Sequence, residues 1–253
     1  MSEKIVCIVQ ARRRSSRLPD KILKPLGDKP ALAHVLKRCL AIPSVHSVVC
    51  AGIDDPFEAP VYEIAQQAGA KIFKGSENDV LSRYYGAAKI EEAQWVMRVT
   101  SDCPLFDPDV AENLIQGTLA SGCTFGANAD WPHGLDCELF SFDLLEQAYK
   151  NATLDGEREH VTLWMKRQTG LKMFHHFAPK GRPLGHQYRW VLDYPEDYQF
   201  LVEIYNRLGK GAAKARWQDI ITLLDKEPAL QTINEKCTAI WATENQKIHQ
   251  DLK

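Results

Sequence analysis

No stretch of the 253-residue sequence reaches the roughly 18 consecutive apolar residues of a membrane span. The first residues, Met1-Ser2-Glu3-Lys4, run straight into an apolar strand, with no basic leader ahead of a long apolar core. A cytoplasmic protein without a membrane partner is expected. CxxC spacing is also missing: the seven cysteines, at 7, 39, 50, 103, 123, 137 and 237, are odd in number, which argues against a zinc ribbon or a disulfide framework. There is no GxSxG elbow, and no histidine lies at an obvious partnering distance from a cysteine, which argues against nucleophilic catalysis. Cys7 and Cys50 read as small core residues, and Cys103 and Cys137 as thiols lining a pocket beside acidic residues. Charge excess is absent too. A formal net charge of −2 and a pI near 6.5 give no global attraction for nucleic acid, and no aromatic-basic interleaving appears. Nor is there an internal repeat, a low-complexity tract or a long linker, so residues 1–253 read as one domain.

What is present is core material and one concentrated basic loop. Hydrophobic residues make up 45% of the chain, enough to fill a sizeable core. Apolar runs at Ile5–Val9, Val48–Ala51, Lys71–Phe73 and Val96–Val99 alternate with helical patterns near 31–41, 59–69, 79–92 and 108–120. This βαβ repetition predicts an α/β fold: three layers around a doubly wound, mostly parallel sheet. Beyond Cys123 the pattern changes. A loop over 128–135 precedes a strand at Glu138–Phe140, helices near 142–151 and 157–169, a strand at 171–177, a loop at 179–185 and a strand at Tyr188–Leu192. Pro195 opens a helix, and two further helices close the chain.

Between the first strand and the first helix, Arg12, Arg13, Arg14, Arg17 and Lys21 place five cations in ten residues. Arginine forks match phosphate oxygens bidentately, and lysine adds a compact point charge. Ligands of open α/β sheets collect at the carboxyl ends of strands, where this loop begins. A polyphosphate site is therefore favoured over a solvated basic patch. A second constellation, Arg98-Val-Thr-Ser-Asp-Cys-Pro-Leu105, runs out of a strand into Asp102, and Trp190-Val-Leu-Asp-Tyr-Pro-Glu-Asp197 offers Asp193 at another strand end. Magnesium takes one or two protein carboxylates and completes its octahedron with phosphate and water, so the two aspartates read as its ligands. A helix or turn cap is the competing reading for each.

The order of the patterns Q-A-R-x-x-S-x-R-L-P-x-K from Gln10, T-x-D-x-P from Thr100 and V-x-D-x-P-E-D from Val191 resembles the cytidylyltransferase superfamily. Within it, the spore-coat polysaccharide biosynthesis F type is most similar, a relative of the enzymes that activate 3-deoxy-manno-octulosonate and acylneuraminate sugars. The likeness runs on through His133-Gly-Leu-Asp-Cys-Glu138 and Arg158-Glu-His160. It implies a nucleotide-diphospho-sugar transferase-like fold in which residues 128–185 form an acceptor-binding and dimerisation appendage. It implies Mg2+-dependent attack of a sugar hydroxyl on the α-phosphate of CTP, giving a CMP-sugar and pyrophosphate, in a homodimer. Carried over, Arg12, Arg17 and Lys21 would hold the triphosphate with help from Ser16, Gln10, Ala11 and Thr100 would lie near base and ribose, and Asp102 and Asp193 would hold the metal. Arg12, Lys21, Asp102 and Asp193 would form the catalytic set, while Asp136, Glu138, Arg158, Glu159 and His160 would face the acceptor. Trp131 is placed to cover a sugar. The family loop has glycine where this chain has Arg14 and Asp20, which is expected to alter phosphate binding. Two alternatives stay open: a glycosyltransferase using the Asp107-Pro108-Asp109 triplet on a metal and a nucleotide-sugar, or a homologue that binds nucleotide or carbohydrate without turnover.

Overall fold

The protein is described by a computed structural model covering residues 3–180 and 184–240. The start of the N-terminal segment, the middle of the 179–185 loop and the end of the chain lie outside the described residues. The elements in order are β1 (Ile5–Gln10), β2 (Pro25–Leu26), β3 (Lys29–Pro30), α1 (Ala31–Cys39), β4 (Val45–Ile53), α2 (Ala59–Ala68), β5 (Lys71–Gly75) and α3 (Val80–Ile90). Next come β6 (Trp95–Thr100), α4 (Pro108–Ser121), β7 (Phe125–Ala129), β8 (Glu138–Ser141), α5 (Phe142–Asn151), α6 (Asp155–Glu159) and α7 (Leu163–Lys166). Then follow β9 (Met173–Phe177), α8 (Leu184–Gln187), α9 (Pro195–Leu208) and α10 (Trp217–Lys226).

The main sheet has seven strands in the order β5-β4-β1-β6-β8-β7-β9. Strand β1 pairs in parallel with both β4 and β6, and β4 in parallel with β5. Only β8 runs antiparallel to its neighbours β6 and β7. Alternation along β1 explains the layering. Ile5, Cys7 and Val9 enter a core with α1, α2 and α4, while Val6 and Ile8 enter another with Tyr84 of α3 and Leu144 and Leu145 of α5. Because both faces are covered, the strand reads as an unbroken apolar run. A third core packs Trp190, Leu192, Phe200, Leu201 and Ile204 under α9 and α10.

The second half corrects the sequence reading in three places. Strand β7 has the sequence Phe-Gly-Ala-Asn-Ala, with little β-propensity. Its small residues serve close packing: a Cβ on Gly126 would stand 2.0 Å from Thr118 Oγ1 of α4. The helix expected over 157–169 is broken into α6 and α7, because Val161 takes a left-handed φ of 58° between them. Tyr188–Leu192 is not a sheet strand. Its residues are buried and, Arg189 apart, apolar or aromatic, but its backbone pairs with loops: Trp190 N–H donates to His133 O at 2.7 Å and Leu192 N–H to Asp102 O at 2.8 Å. That last bond brings Asp193 beside Asp102. Gly134 is required here, since its φ is +114° and a Cβ would meet the Trp190 carbonyl carbon at 2.7 Å.

Candidate active site

The carboxyl ends of β1 and β6 open into a cleft of about 1160 Å³. That exceeds the ~300–1,000 Å³ of a single small-ligand pocket and leaves room for two substrates. One wall is the loop leaving β1. Ala11 is buried, its N–H bound to Ala51 O at 3.1 Å, and the chain then turns outward. Arg13 is committed to the scaffold: its N–H donates to Glu58 Oε2 at 3.1 Å, its Nε to Asp20 Oδ1 at 2.8 Å, and its guanidinium covers Phe57. Arg14 reaches Glu77 at 2.5 Å and Asp55 at 2.8 Å. Arg12, Ser16, Arg17 and Lys21 also line the cleft. Two of the five cations, Arg13 and Arg14, thus shape the loop, and the other three face the ligand space.

At the cleft floor, Lys21 Nζ lies 2.6 Å from Asp102 Oδ2 and 2.7 Å from Asp193 Oδ1. Burial opposes the charge on Lys21 and on Asp102. For Lys21 the two carboxylates outweigh it and raise the ammonium above its ordinary value. For Asp102, burial is outweighed by Lys21 and by a Thr100 hydrogen bond, which hold the carboxyl well below the usual carboxylate range. Arg17 adds a contact to Asp193 Oδ1 at 3.3 Å and stacks over Tyr194. Behind Asp193 stands Arg189, 4% exposed, which reaches Asp193 Oδ2 at 3.3 Å and is clamped by both oxygens of Asp197 at 2.9 and 2.8 Å. Arg189 Nη1 also donates to His133 Nδ1 at 3.0 Å. Cys103 and Cys137 do line the cleft, as buried thiols that burial pushes well above the ordinary range. They are not nucleophiles at neutral pH.

The far wall comes from β6, β8, α6 and α7. Glu138 is buried and accepts from Thr162 Oγ1 at 3.0 Å, with Arg98 at 3.1 Å and Lys166 at 2.5 Å. Burial raises its carboxyl, but Lys166 and Arg98 more than reverse this and keep it ionised. Arg98 Nε is buried without a hydrogen-bond partner among the described residues. Burial also lowers the His160 imidazole, against the pull of Glu159, so His160 is neutral at pH 7. Asp136 is exposed in the 130–137 loop, with Oδ2 accepting from Gly134 N–H at 3.0 Å and lying 3.9 Å from His133 Nε2.

With a cationic loop facing two aspartates, the sequence over residues 6–220 also matches the cytidylyltransferase family. The chain belongs to the cytidylyltransferase family. It is 28% identical to the spore coat polysaccharide biosynthesis protein SpsF of Bacillus subtilis over 91% of this chain and 98% of that one. A cytidylyltransferase structure from Leptospira borgpetersenii superposes with a TM-score of 0.83 at 30% identity, covering 90% of this chain and 96% of the other. A CMP-2-keto-3-deoxy-manno-octonic acid synthetase solved with CTP shares the fold, with a TM-score of 0.63 at 19% identity over 81% and 99%. The protein is therefore a nucleotidyltransferase of cytidylyl groups, with the α/β sheet of that fold.

Of the residues expected in a cytidylyltransferase site, the fold brings together Gln10, Ala11, Arg12, Ser16, Arg17, Lys21, Thr100, Asp102 and Asp193, with Asp136, Glu138, Glu159 and His160 opposite. Arg158 is the exception. It turns away from the cleft to pair with Asp79, the cap of α3, and donates to Tyr149 O at 3.1 Å. Arg158→Ala is expected to cost about 1–3 kcal/mol of stability in denaturant unfolding and to leave CTP affinity unchanged. Glu138 opens β8, in line with the strand expected from Glu138 to Phe140. Trp131 is a core residue, 7% exposed, with Nε1 donating to His176 O at 3.0 Å, and covers no sugar site.

Asp107 is fully buried, caps α4 through Asp109 N–H at 2.9 Å and accepts from Trp217 N–H at 2.7 Å. Asp109 pairs with Arg216. The triplet that suggested a glycosyltransferase is thus a helix cap. The two departures from glycine are also explained. Asp20 adopts the left-handed φ of 54° that glycine takes readily, and its carboxylate turns to Arg13 instead of Lys21. Arg14 keeps a negative φ and extends to Asp55 and Glu77. Sequence reasoning missed Arg98, Lys166, His133 and Arg189. A cation inside the apolar strand Trp-Val-Met-Arg-Val-Thr was the available signal for Arg98; Lys166 carried none.

Proposed function

We propose that the cleft transfers the cytidylyl group of CTP to a hydroxyl of an acceptor sugar, releasing pyrophosphate and forming a CMP-sugar for surface polysaccharide biosynthesis. The observation that carries this is Lys21 set between Asp102 and Asp193 beneath a loop that presents Arg12 and Arg17. In the reaction the hydroxyl oxygen forms a bond to the α-phosphorus while the bridging bond to the β-phosphate breaks. The hydroxyl gives up its proton and pyrophosphate takes the bonding electrons. Such transfers depend mainly on positioning and charge neutralisation. Arg12, Arg17 and Lys21 neutralise the triphosphate, and Gln10, Ala11 and Thr100 hold base and ribose.

Asp102 and Asp193 fit a magnesium ion. They are oxygen ligands that converge on one cation, Lys21 Nζ, and leave the remaining coordination sites to phosphate and water. The ion would offset phosphate charge and orient the reacting groups when bound. Asp136, Glu159 and His160 face the acceptor, with Glu138 ordering Arg98 and Lys166 behind them. Residues 128–185, which supply β8, β9 and this wall, form the acceptor-binding part in our reading. A cytoplasmic homodimer completes it, on the family resemblance alone.

Pyrophosphate release from CTP, screened against free acidic and neutral sugars with mass analysis of products, tests the transfer. Asp136→Asn is expected to spare CTP affinity measured by calorimetry while lowering sugar-dependent turnover by about 10-fold or more. Loss of CTP affinity instead would move Asp136 to the nucleotide side.

A further inference from the structure

Lys21 occupies one oxygen of each of the two carboxylates that would share a metal ion, Asp102 and Asp193. Its side chain is only 13% exposed, and its ammonium lies 2.6 and 2.7 Å from one oxygen of each carboxylate. A magnesium ion that took those same oxygens would have to compete with Nζ for them. The surrounding charge makes the competition stronger. Asp193 already faces Arg17 at 3.3 Å and Arg189 at 3.3 Å, the latter paired with Asp197, so a dication entering alone adds to a cluster whose carboxylates already have cationic partners. A triphosphate changes this balance, because its oxygens give the flexible lysine another set of anionic partners.

We propose that Lys21 is a resident cation that closes the metal position of the nucleotide-free enzyme. The divalent ion enters only with the nucleotide, when the ammonium transfers from the carboxylates to the phosphates. The proposal rests on the assignment of Asp102 and Asp193 as metal ligands. Its consequence is positive coupling between the two ligands: each strengthens binding of the other by the same factor.

The test uses Mn2+ alone as probe, with free ion followed by electron paramagnetic resonance, on the full chain without nucleotide. Lys21→Met, which keeps the length of the side chain and removes its charge, is expected to bind Mn2+ at least about tenfold more tightly than wild type. Lys21→Arg, which keeps a cation, should bind as weakly as wild type. Adding Asp102→Asn to Lys21→Met should abolish the gain. Wild type binding Mn2+ without nucleotide as tightly as Lys21→Met would overturn the proposal. Should Lys21→Met fail to fold, Lys21→Gln takes its place with the same expected gain, and tight Mn2+ binding by nucleotide-free wild type would overturn the proposal equally. A gain in Lys21→Met that Asp102→Asn leaves untouched would overturn the metal assignment itself, a failure distinct from that of the blocking role.

Discussion

Asp102→Asn is expected to lower the turnover number for pyrophosphate release by on the order of 10²–10³-fold, with the fold retained. The size follows from removing a preorganised charge from a water-poor site, where each such group contributes several kcal/mol to the transition state. Asp102 is ionised at every working pH, since Lys21 and Thr100 outweigh its burial. Asparagine keeps the shape and one acceptor oxygen but no longer attracts a cation. Lys21 retains Asp193 at 2.7 Å, so the loop should stay anchored. Steady-state kinetics over a magnesium titration make the check: wild type should saturate, and the variant should require far more metal or fail to respond. Wild-type turnover at the same magnesium concentration would remove Asp102 from the metal site.

The second large effect is structural. Asp197, fully buried, accepts from Asp193 N–H at 3.1 Å, Tyr194 N–H at 3.0 Å, Arg189 Nε and Nη2 at 2.9 and 2.8 Å, and Asn234 Nδ2 at 2.9 Å. Asp197→Ala leaves the Arg189 guanidinium buried beside His133 without its main counter-charge. Removing one partner of a buried ion pair costs about 3–5 kcal/mol, which for a chain of this size lowers the melting midpoint by roughly 6–20 °C. The same change frees the turn that holds Asp193, so activity should fall even below the melting point. A stability loss under about 1 kcal/mol in denaturant unfolding would show that the network is not coupled as drawn.

The legibility of this chain follows from where its residues are buried. Strands β1, β4 and β6 are covered on both faces, so their apolar runs mark the parallel half directly. Strand β7 is chosen for closeness to Thr118, and its small residues hide it. Tyr188–Leu192 is as buried as a strand but pairs with loops, and periodicity does not distinguish the two. At the site, Lys21 was readable from the basic run that leaves β1, and Asp102 and Asp193 because each closely follows an apolar segment. Pairing was not readable. Nothing in the spacing shows that Arg13 and Arg14 are spent on Glu58, Asp20, Asp55 and Glu77, or that Arg158 belongs to Asp79. Arg98 meets Glu138 only because β6 and β8 pair, and Lys166 joins them from α7.

The central claim is that this cleft takes CTP with a divalent ion. Calorimetric titration of wild-type protein with CTP, UTP, ATP and GTP, each with Mg2+, and with a nucleotide-sugar as the competing donor, tests it most directly. The account predicts saturable one-to-one binding of CTP with Mg2+, tighter than that of the other triphosphates and of the nucleotide-sugar. Absence of CTP binding, or preference for the nucleotide-sugar, would contradict it.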